Sequence, residues 1–227
     1  MKYVIVVLLL AGTLSCKMEN KTKEVEVELA EPKIVTKIDQ DRYPEALIKV
    51  FEAHGGLANW KNKKTLVFKQ GEELHTLDLK TRMDRVDGPA YSLGYDGDKV
   101  WLVNEENAFK GDPVFYHNLR SYFFNMPFVL GDKGIVYAET EDLVYEGVSY
   151  PGIAVSTVSY RSGERSDKIS WIGYHDWTDV NGLTVPKALT WYSSEGRTIK
   201  EPSKPVVFEG IEISGQAKPL SFFAKPN

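Results

Sequence analysis

The sequence predicts an α+β fold in which a curved antiparallel β-sheet wraps around one or two helices. Three observations lead to this prediction. Residues 43–60 carry apolar side chains at helical spacing, and much of the chain after them alternates with the two-residue period of strands. Residues 112–130 interrupt that alternation with a second helical pattern. Because each helix would be apolar on one face, we expect both to pack against the concave face of the sheet.

Length and composition indicate one globular domain with appendages. The chain has 227 residues, of which 42% are hydrophobic and 26% are charged, a balance typical of globular rather than disordered proteins. The formal net charge of −4 argues against a nucleic-acid partner, which would favour a basic face. We therefore expect no binding to DNA or RNA.

The first 15 residues are typical of a signal peptide. Lys2 supplies a basic start, and residues 3–14 form an apolar run that is shorter than the roughly 20 residues of a membrane span. The segment Thr13-Leu14-Ser15-Cys16 resembles a bacterial lipobox, and Cys16 is the only cysteine in the chain. The alternative is an ordinary signal peptide cleaved after Ser15. We expect Cys16 to become the acylated first residue of the mature protein and to anchor it to a membrane.

Residues 16–40 are predicted to form the lipidated cysteine and a flexible tether. This segment is charged and weakly patterned. Alternation of Val25, Val27 and Leu29 with glutamates leaves a short edge strand as the alternative. The folded domain is then expected to span residues 41–227.

The first helix is predicted after Pro44, a residue that the first turn of a helix tolerates. Leu47 and Phe51 fall on its apolar face. Gly55-Gly56 should end it, because glycine readily takes the left-handed conformation that closes a helix. This helix is the most clearly patterned element of the sequence.

Strands and a second helix complete the predicted domain. Asp112-Pro113 suits the start of the second helix, and Pro127 should stop it. The aromatic side chains of this helix either fill the core or border an apolar cavity. Strand-like stretches occur at residues 64–69, 74–79, 83–86, 91–95, 99–103, 135–138, 142–145, 152–160, 168–174, 183–192 and 206–213, with turn signals at Gly71-Glu72, Asp96-Gly97 and Asn181-Gly182.

The sequence contains no recognisable catalytic or metal-binding motif. Four histidines are scattered along the chain, and no second cysteine is present to form a cysteine-based zinc site. Neither a nucleophile elbow, nor a phosphate-binding loop, nor a dinucleotide fingerprint occurs. We therefore expect no catalytic residues, no cofactor, no metal and no enzymatic activity.

Four sequence blocks in order resemble the LolA/LolB superfamily of periplasmic lipoprotein carriers. They are AHGGLANW at residues 53–60, GYDGDKVW at 94–101, FYHNLRSYFFNMPFVLGDKG at 115–134 and VNGLTVPKALTWY at 180–192. More narrowly, they resemble a lipid-anchored branch of Gram-negative bacteria, domain-of-unknown-function family 6503. The resemblance implies a half-barrel around helices with an apolar hollow for acyl chains. Relatives carry an additional hairpin near Ala154 to Thr157 that this chain lacks, which implies a shallower hollow.

From the resemblance we expect a monomeric lipoprotein of the outer membrane that faces the periplasm and binds a lipid, or the acyl chain of a lipoprotein, without catalysis. The alternative is a glycan-binding or protein-interaction lipoprotein of the cell envelope, since five tryptophans could stack on sugars. Coplanar exposed tryptophans would favour glycan, and carboxylates converging with histidine would favour an enzyme. The predicted cavity residues are Leu47, Phe51, Phe68, Trp101, Phe115, Phe123, Met126 and Phe128.

Overall fold

The computed structural model describes residues 43–157, 171–195 and 198–226. The predicted signal peptide, Cys16 and the predicted tether lie outside these residues, as do parts of the strands predicted at 152–160 and 168–174. The described chain consists mostly of antiparallel sheet with few helices, which confirms the α+β class. Within the described ranges, no helix is both long and apolar enough to cross a membrane.

The predicted elements occur in the predicted order, and the structure adds a short helix at Leu57–Asn62 and strands at Val148–Tyr150 and Thr198–Pro202. The helices are α1 (Glu45–Ala53), α2 (Leu57–Asn62) and α3 (Pro113–Phe124), and short 3₁₀ turns include Phe128–Gly131 and Leu220–Phe222. The strands are β1 (Thr65–Gln70), β2 (Glu73–Asp78), β3 (Asp84–Asp87), β4 (Tyr91–Tyr95), β5 (Val100–Asn104), β6 (Ile135–Glu139), β7 (Leu143–Tyr145), β8 (Val148–Tyr150), β9 (Ile153–Thr157), β10 (Trp171–Val180), β11 (Leu183–Glu195), β12 (Thr198–Pro202), β13 (Val206–Val207) and β14 (Glu209–Ser214).

The strands are divided among several open sheets, whereas the sequence predicted one large sheet. A six-stranded sheet has the order β14-β1-β2-β3-β4-β5, and a four-stranded sheet has the order β10-β11-β12 with β13 beside β11. Strands β6 and β9 form one two-stranded sheet, and β7 and β8 form another. The meander stops after β5 because the next 30 or so residues are occupied by the aromatic helix and its flanking turns.

The described chain divides into two compact units. The first comprises the described residues of Met1–Val50, Leu130–His175 and Ala188–Val206, and the second comprises Phe51–Val129, Asp176–Lys187 and the described residues of Val207–Asn227. Helix α1 and strands β10 and β11 each continue from one unit into the other.

In the second unit, the register of the six-stranded sheet separates its residues into two faces. Phe68 pairs with His75, His75 with Val86, and Val86 with Leu93, so these residues share one face. Helix α3 packs against β4 and β5 on this face, which we call the inner face. The register Val67, Thr76, Arg85, Gly94 and Trp101 runs along the opposite, outer face.

The glycine pair after α1 is explained by contact with the β10–β11 hairpin. Gly55 and Gly56 have φ values of 91° and 87°, in the left-handed region that favours glycine. A Cβ atom on Gly55 would lie 2.0 Å from the carbonyl oxygen of Gly182, so a larger residue does not fit. Asn59 Nδ2 donates to the same carbonyl at 2.9 Å. The AHGGLANW block therefore fixes the end of α1 and the start of α2 on this hairpin.

The first unit has its own small aromatic core. Buried Trp171 and Leu143 pack with Tyr145, Tyr150 and Tyr192. A separate contact joins the hydroxyl of Tyr43 to the carbonyl oxygen of Gly131 at 3.1 Å. Of these contacts, those of Trp171 and Tyr192 with the cluster give the small β7–β8 hairpin an apolar surface on which to pack.

Candidate functional site

Seven of the eight predicted cavity residues are buried, and one is exposed. Leu47, in the first unit, is 1% exposed. The other seven residues lie in the second unit, where Phe115 is 63% exposed at the first turn of α3. Phe115 therefore does not belong to the buried apolar set, and its predicted role in ligand binding stays a prediction. The buried members in the second unit are Phe51, Phe68, Trp101, Phe123, Met126 and Phe128.

Trp101 is buried on the outer face of the sheet, away from Phe68. Its neighbour across the ladder is Gly94, and its ring lies where a Cβ atom of Gly94 would be. The indole Nε1 donates to the carbonyl oxygen of Phe223 at 2.8 Å, and Phe223 is fully buried. Trp101 thus packs under the C-terminal segment, on the face opposite to Phe68, and its predicted role in ligand binding stays a prediction.

An apolar aromatic surface lies on the inner face at the end of α3. Phe124 stacks on Phe68 with ring centroids 4.6 Å apart and planes 7° apart, and Phe208 meets both rings edge-on at 4.9 Å and 5.2 Å. We call Phe68, Phe124 and Phe208 the aromatic wall. Of these three, the sequence predicted only Phe68.

A second aromatic stack surrounds Phe128, which the sequence did predict. Phe128 stacks on Trp60 at 4.6 Å and on Phe51 at 6.4 Å, and His54 meets its ring edge-on. Burial lowers the pKa of His54, although a hydrogen bond with the carbonyl oxygen of Thr184 partly opposes the shift. A neutral imidazole therefore fits this apolar cluster.

Residues 123–129 are all buried, and Asn125 supplies the only polar side chain among them. Asn125 is 1% exposed. Within the described part of the chain, neither its Nδ2 nor its Oδ1 atom has a hydrogen-bond partner. This buried amide was not singled out from the sequence, although a lone asparagine inside FFNMPFV was visible there.

A partly buried carboxylate joins α3 to the hairpin of β1 and β2. The hydroxyls of Tyr91 and Tyr116 donate to Glu73, and His75 Nε2 lies 3.0 Å from Glu73 Oε2. Burial raises the pKa of Glu73, but the hydrogen bonds from His75, Tyr116 and Tyr91 outweigh burial and hold the pKa at about 2. Glu73 is therefore a fixed anion near neutral pH and a poor proton carrier.

A second carboxylate–histidine pair fastens the next residue of α3 to the sheet. His117 Nδ1 lies 2.7 Å from Asp84 Oδ2, and Asp84 Oδ1 accepts a hydrogen bond from the backbone N–H of Tyr95. Both side chains are buried. Tyr116 and His117 together give α3 two polar attachments to the inner face, which sequence spacing did not reveal.

An open surface groove of about 450 Å³ lies in the second unit and borders Phe208 of the aromatic wall. It is lined by parts of β10 and β14 and by single residues of β11 and β13, with Asp176, Asp179, Lys187 and Glu209 among its lining residues. None of the eight predicted cavity residues borders this groove. Among the described residues, no group of three or more His, Cys, Asp or Glu side chains could hold a metal ion.

The burial of the five tryptophan side chains bears on the alternative that the protein binds glycans. Trp60, Trp101 and Trp171 are buried, and Trp177 and Trp191 are partly buried. None of the five therefore belongs to the fully exposed residues of the chain. Comparison of the chain with protein-family models, with curated proteins and with solved structures gave no match.

Proposed function

We propose that the protein is a lipid-anchored protein of the bacterial cell envelope that binds an acyl chain between α3 and the inner face of the six-stranded sheet. The observation that carries the proposal is the aromatic wall, in which Phe124, the last residue of α3, packs on Phe68 and Phe208. Apolar surface of this kind suits a hydrocarbon chain, which needs contact area rather than hydrogen bonds.

Binding requires α3 to move, because the rings of the aromatic wall are in contact. Each CH₂ group transferred from water gains about 0.8 kcal/mol, so about a dozen gain roughly 10 kcal/mol. Against this gain stand the separation of the rings and the loss of the Tyr116–Glu73 and His117–Asp84 contacts, at roughly 1–3 kcal/mol per contact. Together the two contacts oppose the gain by about 2–6 kcal/mol, and separation of the rings opposes it further, so the net affinity is smaller than the hydrophobic gain alone.

The proposal also includes the detailed fold of the domain and the location of the protein in the cell. We infer a LolA-like half-barrel, with Cys16 acylated at the outer membrane and the domain facing the periplasm. A membrane-tethered protein is better suited to receive or bind lipid at one membrane than to carry lipid between membranes. The reason is that its anchor confines it to one membrane.

The two carboxylate–histidine pairs are interpreted as fasteners of α3 rather than as catalytic groups. Glu73 is held ionised by three hydrogen-bond donors, and both oxygens of Asp84 are already engaged. A general acid or base needs a pKa near the working pH and access to substrate. Attachment of a helix to a sheet requires neither a pKa near the working pH nor access to substrate.

The proposal is tested by titrating the full chain with the fluorescent fatty acid cis-parinaric acid. Every protein in the experiment carries Cys16→Ser, so that a covalent acyl group cannot compete. We expect saturable fluorescence enhancement that Phe124→Leu weakens at least fivefold, because the ring belongs to the aromatic wall. Trp101→Phe, on the outer face, is the matched control and should leave the affinity unchanged. Absence of saturable binding by the folded protein would contradict the proposal.

A further inference from the structure

We infer that Asn125 binds the polar head of the acyl ligand, and that this head is an amide or an un-ionised carboxylic acid. The inference rests on the proposed function and deepens it. Asn125 lies between Phe124 and Met126 in a run of residues that are all buried. Both polar atoms of its side chain are buried and without a hydrogen-bond partner within the described residues.

An unpaired amide in this position disfavours folding. A side-chain amide loses its hydrogen bonds to water on burial, and the loss is compensated only when protein, water or ligand supplies new ones. An apolar residue of similar size, such as leucine, would avoid the loss. A buried polar side chain that has no hydrogen-bond partner in the fold is expected where the function of the protein requires that side chain.

Other buried polar side chains of this unit differ from Asn125. His54, Asp84 and His117 each have a partner within 2.8 Å. At Gln70, which is partly buried, Oε1 is the one buried side-chain atom without a hydrogen-bond partner among the described residues. Asn125 is distinguished because both its donor and its acceptor are unpaired.

The chemistry of the carboxamide selects the head group. Nδ2 donates and Oδ1 accepts, so a complementary group must both accept and donate. A primary or secondary amide does so, as does a carboxylic acid that keeps its proton. An ester only accepts, and a hydrocarbon does neither. Phe124 and Phe128 flank Asn125 closely in sequence and belong to the two aromatic clusters, so an acyl chain attached to the head would have apolar rings to pack against.

The test compares three ligands that share one hydrocarbon chain: palmitamide, palmitic acid and methyl palmitate. Each displaces cis-parinaric acid from the full chain carrying Cys16→Ser. We expect palmitamide or palmitic acid to bind about tenfold more tightly than methyl palmitate, since the ester leaves Oδ1 unpaired. Tighter binding of palmitamide identifies an amide head. Tighter binding of palmitic acid, with affinity that rises as the pH falls, identifies an acid head.

Asn125→Leu separates a ligand-binding role from a structural one. We expect this variant to bind the three ligands with equal affinity and, without ligand, to melt at the same or a higher temperature than the parent protein. Val129→Ile is the control at another buried position of the same run and should retain the head-group preference. Loss of thermal stability in Asn125→Leu with an unchanged preference would overturn the inference.

The possible failures are distinguishable. Equal affinity of the parent protein for all three ligands overturns the role of Asn125 and leaves acyl binding intact. Failure of the folded parent protein to bind any of the three overturns the proposed function as well. The parent protein's preference is measured without any substitution at Asn125, so it decides the question even if Asn125→Leu does not fold.

Discussion

Tyr116 on α3 donates its hydroxyl hydrogen to Oε2 of Glu73 on β2, and this bond joins the helix to the hairpin of β1 and β2. Tyr116→Phe removes the hydroxyl and keeps the ring. We expect the variant to lose about 1–2 kcal/mol of unfolding free energy, because hydrogen bonds to charged groups stabilise more than neutral ones. Urea unfolding monitored by circular dichroism measures the loss.

Tyr95→Phe is the control for this prediction. The Tyr95 hydroxyl donates to the carbonyl oxygen of Gly97 at the surface, so its removal should cost less than about 0.5 kcal/mol. Equal losses in the two variants would show that the Glu73 contact contributes no more than a surface hydrogen bond.

Glu73 should make stability depend on pH in the acid range. Its pKa is lowered from 4.5 in the unfolded chain to about 2 in the folded protein. The lowered pKa stabilises the folded state fully above pH 4.5, and this stabilisation is lost as the pH falls towards 2. Between about pH 6 and pH 3 we expect the loss to be about 1–2 kcal/mol, allowing for the part of the side chain that water reaches.

The measurement is the difference in unfolding free energy between wild type and Glu73→Gln at several pH values. The glutamine variant cannot titrate at this position, so the difference should shrink as the pH falls. A difference that stays constant from pH 6 to pH 3 would mean that the folded and unfolded pKa values of Glu73 are alike.

The C-terminal segment should contribute to the stability of the second unit. Phe223 is fully buried and its carbonyl oxygen accepts the hydrogen bond from Trp101. Phe223→Ala should cost about 3 kcal/mol or more of unfolding free energy, as large-to-small changes in a core do. Leu220→Ala, at a position that is 71% exposed, is the control and should change stability by less than about 0.5 kcal/mol. A cost below about 1 kcal/mol for Phe223→Ala would contradict the packing described on the outer face.

Cys16 should carry the membrane anchor. We expect the wild-type chain, expressed in a Gram-negative host, to incorporate an alkyne-labelled fatty acid and to sediment with membranes. Cys16→Ser should abolish the labelling, because the chain has no other cysteine. Labelling that persists in Cys16→Ser would place the acyl group elsewhere, and an unlabelled wild type would favour an ordinary signal peptide cleaved after Ser15.

The sequence predicted the element boundaries that local chemistry determines. Gly55-Gly56 ends α1, and Asp112 accepts hydrogen bonds through Oδ1 from the N–H groups of Val114 and Phe115 at the start of α3. The hairpin turn predicted at Asn181-Gly182 joins β10 to β11. These features depend on backbone conformation and on hydrogen bonds over a few residues, which residue type reveals directly.

The sequence did not predict which side of each element faces the core. Strand β5 has apolar side chains at both Trp101 and Leu102, so alternation alone could not assign the inner face. Helix α3 is apolar or aromatic around much of its circumference, so helical spacing did not reveal that Phe115 points to solvent. In both elements the answer depends on tertiary packing.

The polar contacts that attach α3 to the sheet could also not be predicted from the sequence. Glu73 and His75 are two residues apart on one strand, so their shared face was predictable. Tyr91 and Tyr116 are 18 and 43 residues further along the chain than Glu73, and only the fold brings them to its carboxylate.

Native mass spectrometry of the full chain carrying Cys16→Ser, purified from a bacterial periplasm and followed by organic extraction, measures whether the protein holds an acyl ligand. We expect a co-purifying mass that extracts as a phospholipid, a fatty acid or another acylated molecule. We also expect Phe124→Leu, in the aromatic wall, to reduce the bound fraction while Trp101→Phe does not. A folded protein that shows only its own mass, both as purified and after incubation with lipids, would contradict acyl-chain binding.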